Sequence, residues 1–584
     1  METITKPATP KGEPKQKMKK LTVKNISGAE AVVQSLLSEG VDLMYGYPGG
    51  ANMPIYDVLY NYQKELHHVL TRHEQGAIHA AQGFARTSGK VGVCMATSGP
   101  GATNLITGLA DAMIDSTPLV CITGQVASNL LGSDAFQETD INSMSTPVTK
   151  WNFQITKAEE IAEVFAKAFY IAISGRPGPV LIDITKDAQF ENIDFHYKKC
   201  TKIRSYHPIP KVDMNQIKAA ATLINSAKKP FILFGQGVIL GNAEEEFKAL
   251  IEKAQIPSAS TLLGLSALPS QHKLNMGMVG MHGHYAPNVL TNDCDLLISV
   301  GMRFDDRVTG NLESYAKQAK VIHFDIDPSE IGKNVSVDVP VLGDVKETLA
   351  VILPSIEKKN HDNWIKKFYD LYQIEQKEVI NGQLNPAQEK LTMGEVMDSI
   401  NKETNGEAII ATDVGQHQMF AGRYANFKNS KSLVTSGGLG TMGFGLPAAI
   451  GAKMGAPDKE VVVIIGDGGF QMTIQELGTI LQTKVPVKIV VLNNEFLGMV
   501  RQWQELFFDK RYASTVMTNP DFVKIVEGYG IKANRVTKRE DLTGAVSALI
   551  SSKESCFLEV VVEKKGLVFP MVPSGASVSD VRLK

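Results

Sequence analysis

The sequence predicts an α/β protein built from three doubly wound parallel-sheet domains, each with helices on both faces of its sheet. Short apolar stretches with the length of buried strands alternate with helical stretches along most of the 584 residues. These stretches are nearly continuous runs of Val, Ile and Leu, as in parallel strands that are buried on both faces. Several of them end in Gly or Asp, at the strand ends where open α/β sheets bind ligands.

Bulk composition is that of a globular protein. The residues are 43% hydrophobic and 21% charged, and the net charge of −2 does not indicate a nucleic-acid partner. No apolar run reaches the ~18 residues that a membrane-spanning helix needs. The five cysteines form no CxxC pair and no metal-binding spacing, so we expect buried thiols in a reducing, cytoplasmic compartment. They are Cys94, Cys121, Cys200, Cys294 and Cys556.

The first twenty residues are basic and proline-rich and lack an apolar core. This composition excludes a secretory signal and is typical of a solvated, disordered tail. A nucleic-acid-binding arm is the alternative. An organelle transit peptide is disfavoured because residues 1–20 contain neither Arg nor Ser.

The first two predicted domains cover residues 21–190 and 212–353. Strands of the first domain are predicted in VGVCMATS, PLVCITG and PVLIDIT. After a polar linker, strands of the second domain are predicted in PFILFG, DLLISVG and KVIHFDID. The alternation with helical stretches predicts a parallel sheet in each domain.

The third predicted domain covers residues 385–565 and follows a charged helical connector around residues 357–389. Its strands are predicted in AIIATDVG, VVVIIGDG, VKIVVLNN and CFLEVVV. Residues 566–584 are irregular in pattern and are predicted to form a tail or a lid.

One βαβ unit of the third domain carries two potential metal ligands. The strand VVVIIG is followed by Asp467, and the next strand, VKIVVLN, is followed by Asn494. Because the carboxyl ends of parallel strands meet at one sheet edge, we expect these side chains to lie together. A carboxylate and a carboxamide form an incomplete oxygen site that suits Mg²⁺, which takes further ligands from phosphates and water. Each residue by itself is also explained as a turn or capping residue.

The GDG sequence and the later NN pair resemble the cofactor-binding motif of thiamine-diphosphate enzymes. The resemblance implies that Asp467 and Asn494 bind Mg²⁺ and that the backbone carbonyl of Phe496 completes the protein ligands. The residue type at Phe496 varies in the family, which is of no consequence for a backbone ligand.

A glutamate in the first domain completes this resemblance. Glu74 lies where a predicted strand meets an Ala/Gly-rich helix, and a first-turn glutamate is also stabilised by the helix dipole. The string RHEQGA resembles the glutamate motif of the family, and GYPGG and SGPGATN resemble its neighbours. The resemblance implies that Glu74 hydrogen-bonds the aminopyrimidine ring, whose own amine then acts as the base.

The segment GGLGTMGFGLPAAIGA, residues 437–452, is another glycine-rich entry into a helix. It lacks the pattern of a dinucleotide-binding fingerprint. The resemblance implies that it holds the pyrimidine, with Met442 supporting the bent cofactor and the Gly440 carbonyl accepting a hydrogen bond. The other thiamine-diphosphate contacts that the resemblance implies are Gly50, Val414, Gly415, Gln416, His417, Gly468 and Met499.

The middle domain resembles the FAD-binding domain of biosynthetic acetohydroxyacid synthase (acetolactate synthase) large subunits. The resemblance is carried by GMHGHYAPN, SVGMRFDDRVTGN and VIHFDIDPSEIGKN, and flavin-free catabolic enzymes lack this combination. Asp325 ends a strand and suits ribose hydroxyls, although helix capping explains it equally well. The FAD contacts that the resemblance implies are Arg176, His282, Gly283, Gly301, Arg303, Asp305, Asp325, Ile326 and Asp344.

The segment EFLGMVRQWQELFFDKRYAST follows the metal-ligand motif and would overhang the reactive end of the cofactor. Met499, Val500 and Trp503 recur at near-helical spacing, which simple packing of one helix face also explains. The resemblance implies that Trp503 shapes an acceptor pocket that favours 2-oxobutyrate over pyruvate. One methylene in an apolar pocket is worth ~1–3 kcal/mol.

Three further residues complete the resemblance. Arg307 matches the anchor of the acceptor carboxylate, and a guanidinium binds a carboxylate through two hydrogen bonds. Gln137 and Lys186 match positions at the entrance of the active site.

The resemblance covers residues 21–573 and implies the catalytic subunit of an acetohydroxyacid synthase. Such an enzyme decarboxylates pyruvate on thiamine diphosphate and joins the two-carbon unit to pyruvate or 2-oxobutyrate. The products are 2-acetolactate or 2-aceto-2-hydroxybutyrate, the first common step of valine, leucine and isoleucine biosynthesis.

The family layout implies a homodimer or homotetramer, with the cofactor between the first domain of one subunit and the third domain of its partner. It also implies a separate small regulatory subunit. Two alternatives remain: a pyruvate oxidase or other 2-oxo acid decarboxylase with the same cofactor, and a protein of this fold without catalytic activity.

Overall fold

The structure is a computed structural model that describes residues 21–584. The predicted disordered tail at residues 1–20 therefore lies outside the described residues. Three six-stranded sheets, in which all neighbouring strands are parallel, organise the chain. This architecture confirms the predicted α/β class of three doubly wound parallel-sheet domains.

The first domain is a parallel sheet with a separate antiparallel strand pair beside it. Its strands are β1 Leu21–Ser27, β2 Leu43–Gly46, β3 His67–Leu70, β4 Gly92–Ala96, β5 Leu119–Gln125, β6 Trp151–Ile155, β7 Pro179–Thr185 and β8 Asn192–Tyr197. Its helices are α1 Gly28–Glu39, α2 Met53–Leu59, α3 Glu74–Ser88, α4 Pro100–Thr103, α5 Ile106–Ile114, α6 Ile141–Ser145, α7 Ile161–Ile173 and α8 Lys186–Phe190. The sheet order is β3-β2-β4-β5-β7-β6, and β1 pairs with β8. Every residue of β4, β5 and β7 is buried, which explains their continuous apolar sequences.

The middle domain has the same layered plan. Its strands are β9 Pro230–Phe234, β10 Ser258–Ser260, β11 Asn275–Met278, β12 Leu296–Val300, β13 Lys320–Asp325 and β14 Val339–Leu342. The sheet order is β11-β10-β9-β12-β13-β14. Its helices are α9 Met214–Ser226, α10 Gln236–Leu240, α11 Glu244–Ala254, α12 Tyr285–Thr291, α13 Asp306–Thr309 and α14 Val345–Ile352. The connector that follows contains α15 Asp362–Glu375 and α16 Asn381–Leu384.

The third domain contains the βαβ unit of the predicted metal site. Its strands are β15 Ile409–Thr412, β16 Leu433–Val434, β17 Val461–Gly466, β18 Lys488–Asn493, β19 Lys532–Val536 and β20 Cys556–Val561. Its helices are α17 Met393–Thr404, α18 Gln416–Tyr424, α19 Gly445–Gly455, α20 Asp467–Met472, α21 Leu477–Thr483, α22 Gly498–Phe507, α23 Phe522–Gly528 and α24 Arg539–Ser551. The sheet order is β16-β15-β17-β18-β20-β19.

Each sheet has a switch point, where connections from two neighbouring strands run to opposite sides. These points lie between β2 and β4, between β9 and β12, and between β15 and β17. Open α/β sheets bind ligands at such points. The loops that follow these strands carry GYPGG and SGPG in the first domain, GMRFDD in the middle domain, and DVG and DGG in the third. The topology therefore places the motifs singled out in the sequence where ligands are expected.

The first and third domains contact each other backbone to backbone through α3 and α19. A Cβ atom added to Gly83 would lie 1.9 Å from the Ala448 carbonyl oxygen, and one added to Gly451 would lie 1.8 Å from that of Ala80. There is no room for a side chain at either glycine, so the two helices pack at close distance and hold the two domains in a fixed arrangement.

Residues 566–584 contain no helix or strand but are packed against the body of the protein. The Val572 N–H donates to the Met281 carbonyl, and Val568 and Met571 are fully buried. Within residues 21–584, no helix combines the length and apolar character needed to cross a membrane. All five cysteines are free.

Candidate active site

The predicted metal ligands lie at one edge of the third sheet. Asp467 follows β17 and Asn494 follows β18, and these strands are parallel neighbours. The Asn519 side-chain amide donates to Asp467 Oδ2 at 2.7 Å and to Asn493 Oδ1 at 3.0 Å. Burial raises the pKa of Asp467 to about 6, against the opposing effect of the Asn519 hydrogen bond. Asp467 and Asn494 thus follow neighbouring parallel strands, as the βαβ argument predicted, and their joint binding of a metal stays a prediction.

Asn494 Oδ1 lies beside the backbone of Phe496. The Phe496 N–H donates to Asn494 Oδ1 at 3.2 Å, and Asn494 Nδ2 donates to Gln416 Oε1 at 3.3 Å. Phe496 forms a bridge with Val516 whose hydrogen bonds are made by the flanking residues. The Phe496 carbonyl is therefore not used by that bridge and is suited to a hard cation.

Glycines let the side chains of His417 and Gln416 pack directly against the backbone around these ligands. A Cβ on Gly466 would lie 2.8 Å from His417 Nδ1, and one on Gly498 would lie 2.3 Å from Gln416 Oε1. Burial lowers the pKa of His417 to about 3. His417 Nε2 is buried and has no hydrogen-bond partner among the described residues. A bound diphosphate would favour the protonated ring, in which Nε2–H can donate to a phosphate oxygen.

Asp413 fixes the end of β15 to the start of α19. Its carboxylate accepts hydrogen bonds from the N–H groups of Val414 at 2.9 Å, Gly443 at 3.1 Å and Gly445 at 2.8 Å. Burial raises the pKa of Asp413, and the three N–H groups oppose this shift. The sequence analysis did not single out Asp413, which belongs to the quoted string AIIATDVG.

A cavity of about 860 Å³ lies between the three domains. Its volume is typical of sites for cofactors and small ligands. It is lined by residues predicted to contact FAD, by residues predicted to contact thiamine diphosphate, and by Arg307 and Trp503, which are predicted to contact the acceptor substrate. The predicted site residues that line it are Arg176, His282, Gly301, Arg303, Asp305, Arg307, Asp325, Ile326, Asp344, Val414, Gly415, Gly440, Met442, Met499 and Trp503.

In the middle domain, residues that line the cavity lie at the switch point of the sheet, after β9 and β12. A Cβ on Gly237 would lie 2.5 Å from the Gly301 Cα, and Gly301 has φ +57°. Burial lowers the pKa of His282 to about 3, and its Nδ1 is buried without a hydrogen-bond partner among the described residues. Close-packed glycine backbone and an unpartnered ring nitrogen fit a nucleotide cofactor along this edge.

Three aspartates of this wall also cap helices or turns. Asp305 accepts from the N–H of Arg307 at 3.1 Å, Asp325 from that of Asp327 at 2.9 Å, and Asp344 from that of Glu347 at 3.1 Å. The Asp325 contact is a turn contact, because no helix begins directly after β13, so the helix-capping explanation considered for Asp325 is wrong. All three residues line the cavity.

Arg176 joins the first domain to the cavity wall of the middle domain. Its Nε donates to Ser116 Oγ at 2.9 Å, and its Nη1 lies 3.2 Å from Asp327 and 2.9 Å from Glu330. Arg176 thus occupies the position expected of a cofactor contact, but its guanidinium already has two carboxylate partners.

Helix α22 forms the wall that carries the predicted acceptor residues. Met499, Val500 and Trp503 line the cavity, as does Arg307 from the middle domain. The Arg307 side chain is 61% exposed and lies 3.6 Å from Asp306. Gln502 fixes this helix to the C-terminal segment, because it donates to the Val568 carbonyl at 3.1 Å and accepts from its N–H at 2.8 Å.

Four predicted residues of the first domain follow strands that end at one edge of the first sheet: Gly50 follows β2, Glu74 follows β3, Gln137 follows β5 and Lys186 follows β7. We call these four residues the N-terminal cluster; none of them lines the 860 Å³ cavity. A Cβ on Gly99, in the loop after β4, would lie 2.7 Å from the Gln137 carbonyl oxygen. The other predicted residues that do not line the cavity are Gly283, Gln416, His417, Gly468, Asp467, Asn494 and Phe496.

Glu74 is held by a residue that the sequence analysis did not single out. Asn104 Nδ2 donates to Glu74 Oε2 at 3.0 Å. Glu74 begins α3, whose N-cap His73 accepts from the Gln75 N–H, so the glutamate is free of the capping role. Asn104 is the last residue of the motif SGPGATN, and nothing else in the sequence indicated that its side chain would contact Glu74.

Three family models for thiamine pyrophosphate (thiamine diphosphate) enzymes match the chain in order. They are described as the N-terminal TPP binding domain over residues 26–144, the central domain over residues 217–352 and the C-terminal TPP binding domain over residues 413–560.

Curated relatives match nearly the full chain. The acetolactate synthase large subunit of Corynebacterium glutamicum is 46% identical over 564 residues, which are 95% of this chain and 90% of the relative. The probable acetolactate synthase large subunit of Methanocaldococcus jannaschii is 46% identical over 95% of both chains. The large subunit of Lactococcus lactis is 44% identical over 96% of both chains. The chain belongs to the acetolactate synthase large-subunit family.

Membership in the acetolactate synthase family makes the chain a thiamine-diphosphate-dependent enzyme with two TPP binding domains around a central domain. The predicted metal ligands and residues 436–442 lie within the range matched by the C-terminal TPP binding domain, and Glu74 lies within the range matched by the N-terminal one.

Proposed function

We propose that the chain is the catalytic subunit of an acetohydroxyacid synthase that uses thiamine diphosphate, Mg²⁺ and FAD. It would decarboxylate pyruvate and join the two-carbon unit to pyruvate or 2-oxobutyrate. The observation that carries this proposal is the single cavity shared by the middle-domain sheet edge, the pyrimidine-binding segment and α22. A decarboxylase that releases its product by protonation has no need of an acceptor pocket at this place.

The cofactors would be held by residues whose local structure suits them. Asp467, Asn494 and the Phe496 carbonyl would bind Mg²⁺, and the glycine-rich edge beside the unpartnered Nε2 of His417 would bind the diphosphate. When bound, thiamine diphosphate supplies an electron sink for the carbon that loses CO₂. FAD would have a structural role, since the ligation involves no net oxidation or reduction.

Glu74 would hydrogen-bond the aminopyrimidine ring through the carboxyl oxygen that Asn104 does not engage. Asn104 fixes Oε2, which leaves Oε1 as the free oxygen. A carboxyl group held in this way transfers or shares a proton without reorganising.

The acceptor would be bound between Arg307 and α22. The exposed guanidinium of Arg307 suits a carboxylate, and Met499 and Trp503 supply the apolar wall beside it. A rigid indole at this wall would favour the longer side chain of 2-oxobutyrate, because that substrate buries one more methylene.

A complete site requires two copies of the chain. The N-terminal cluster and the cavity occupy different places in one chain, so we infer that the cluster of one subunit faces the third domain of its partner. Phe136, beside Gln137, is 87% exposed, and Met472 and Val516 of the third domain are 53% and 66% exposed. Such uncovered apolar side chains beside a half-site fit an interface between copies.

Two further proposals concern partners and location. The relatives are named large subunits, which supports a separate small subunit for this chain. The five free cysteines are compatible with the predicted reducing, cytoplasmic location, which stays a prediction.

The decisive experiment is product identification by the purified protein with thiamine diphosphate, Mg²⁺ and FAD. We expect 2-acetolactate from pyruvate alone and 2-aceto-2-hydroxybutyrate when 2-oxobutyrate is added. Omission of FAD should strongly lower activity without changing the product of the remaining turnover. Acetate or acetaldehyde as the main product would instead indicate an oxidase or a simple decarboxylase.

A further inference from the structure

Helix α5 of the first domain ends against residues 436–442, the glycine-rich segment of the third domain in the same chain. We propose that Asp115, assisted by Asp111 one helical turn earlier, is a positioning residue that holds this segment in the shape required for cofactor binding and turnover. This inference rests on the proposed function, because Gly440 and Met442 of the segment line the cavity and are expected to hold the pyrimidine.

Asp115 binds two consecutive backbone N–H groups of the segment. Its Oδ1 accepts from Gly438 at 2.7 Å and its Oδ2 accepts from Gly437 at 2.8 Å. Arg86 of α3 donates to the same Oδ2 at 2.9 Å and to the Thr435 carbonyl at 2.7 Å. The carboxylate therefore engages the start of the segment with both oxygens, in the geometry of an anion bound by a backbone nest.

Asp111 holds the segment at two further points. Its Oδ1 accepts hydrogen bonds from the Ser436 hydroxyl and, at 3.0 Å, from the Thr441 hydroxyl. The Thr441 N–H in turn donates to Ser436 Oγ at 2.8 Å. The first and the sixth residue of the segment are thus tied to one carboxylate, which closes it into a loop.

The position of Asp115 is unfavourable for helix stability. It is the C-cap residue of α5, where a negative charge opposes the helix dipole. It is also fully buried, and burial raises its pKa while Arg86 opposes that shift. A charged residue that destabilises its own helix and is unfavourable to bury is expected where it serves a function.

The segment needs an external support because of its composition. Gly437, Gly438 and Gly440 lose more conformational freedom on ordering than other residues do. A Cβ on Gly438 would lie 2.9 Å from Asp115 Oδ1, so the approach of the carboxylate depends on glycine there. Two buried carboxylates from a neighbouring domain supply the order that this sequence lacks.

The two residues that flank Asp115 also line the cavity. Ile114 and Ser116 flank Asp115 and line the cavity, and Ser116 accepts from Arg176 Nε at 2.9 Å. One rigid helix end thereby sets the distance between the pyrimidine-binding segment and the wall formed by the middle domain.

The test compares Asp115→Asn and Thr441→Val with the control Asp42→Asn, at an exposed carboxylate that pairs with Lys90. Asp115→Asn keeps the shape of the side chain but leaves only one acceptor oxygen. Thr441→Val removes one donor to Asp111 and is the milder change. We would measure kcat and KM for pyruvate at saturating cofactors, thiamine diphosphate affinity, and deuterium exchange of residues 435–443 in the cofactor-free protein.

For Asp115→Asn we expect kcat to fall about 10- to 100-fold with KM for pyruvate changed less than about threefold, since orientation and not substrate binding is lost. Thiamine diphosphate should bind at least about tenfold more weakly, and residues 435–443 should exchange faster. Thr441→Val should show the same pattern to a smaller extent, and Asp42→Asn should match the unaltered protein.

An Asp115→Asn protein that melts at a lower temperature but keeps its kcat and its thiamine diphosphate affinity would overturn the inference, since only folding would then depend on Asp115. If Asp115→Asn does not fold, an unchanged Thr441→Val protein overturns it in the same way. If the unaltered protein forms no acetolactate, the proposed function fails, and the cofactor affinity and exchange measurements still decide the positioning role.

Discussion

At the scale of single residues, Trp503 is the side chain expected to set acceptor preference. Its indole lines the cavity on α22 and packs on Phe507 with ring centroids 5.2 Å apart. We expect Trp503→Leu to lower the preference for 2-oxobutyrate over pyruvate by about tenfold or more, because the apolar wall beside the extra methylene is lost. The measurement is the ratio of the two products when both acceptors compete.

Phe508→Leu is the matched control for this substitution. Phe508 is 53% exposed and lies outside the cavity, so its replacement should leave the product ratio unchanged. An unchanged ratio in Trp503→Leu would assign acceptor selection to other residues of the wall.

His79 is a buried titratable residue that couples stability to pH. It is fully buried on α3, its ring meets Phe444 of the third domain at 5.2 Å, and burial lowers its pKa to about 3. The unfolded chain takes up a proton below about pH 6.5 and the folded chain does not, so stability is present above that pH and is lost as the pH falls.

When the pH falls from 7.5 to 5, the free energy of unfolding should decrease by roughly 2 kcal/mol less in His79→Gln than in the unaltered protein. The other buried histidines titrate equally in both proteins and cancel from the comparison. Urea unfolding at the two pH values measures the difference, and His67→Gln, at an exposed position, is the control. Equal pH dependence in His79→Gln and the unaltered protein would contradict the expectation.

At the scale of secondary-structure elements, the crossing of α3 and α19 depends on glycine. A methyl group at Gly451 would lie 1.8 Å from the Ala80 carbonyl oxygen, and backbone atoms cannot move aside as a flexible side chain does. We expect Gly451→Ala to destabilise the protein by ~1–3 kcal/mol or more through overpacking. Equilibrium unfolding in urea measures this effect.

Gly544→Ala gives the opposite expectation and serves as the control. Gly544 lies inside α24, is exposed, and has no atom within 4 Å of an added Cβ. Alanine there should stabilise the protein by up to ~1 kcal/mol, because it has the better helix propensity. Equal effects at both positions would mean that the α3–α19 contact is looser than described.

At the scale of the whole molecule, the division of the site between two places predicts complementation between subunits. Glu74→Gln and Asp467→Ala should each be inactive alone. Mixed dimers would contain one site with both changes and one with neither, so the isolated mixed dimer should show about half of full activity. Activity is measured after co-expression of the two chains with different tags and isolation of the mixed dimer.

Each variant paired with itself is the control for that experiment. If Glu74 and Asp467 acted together within one chain, every site of the mixed dimer would carry a defect and no activity would return.

The sequence predicted the large-scale fold well, because parallel strands buried on both faces have a strong apolar signal. The three sheets and the placement of Asp467 and Asn494 after neighbouring strands follow from that signal and from βαβ geometry. The short strand β16, Leu433–Val434, was not predicted because two residues carry no periodicity. The capping contacts of Asp305 and Asp344 show that one aspartate can cap a helix and also line a cavity.

The supporting residues of the site had no comparable signal. Asn104, Asp115 and Asp413 act through backbone amides or side chains that are far away in sequence or carry no fixed spacing. Such contacts depend on the packing of domains, which periodicity and motifs do not describe.

The backbone-to-backbone crossing of α3 and α19 also bears on how the chain is made. Gly83 leaves the ribosome several hundred residues before Gly451, which is tens of seconds at about 5–20 residues per second. During that interval the glycine face of α3 has no partner, and the middle domain is synthesised in between. Nascent chains would therefore expose the first domain to chaperones and proteases until the final third has emerged.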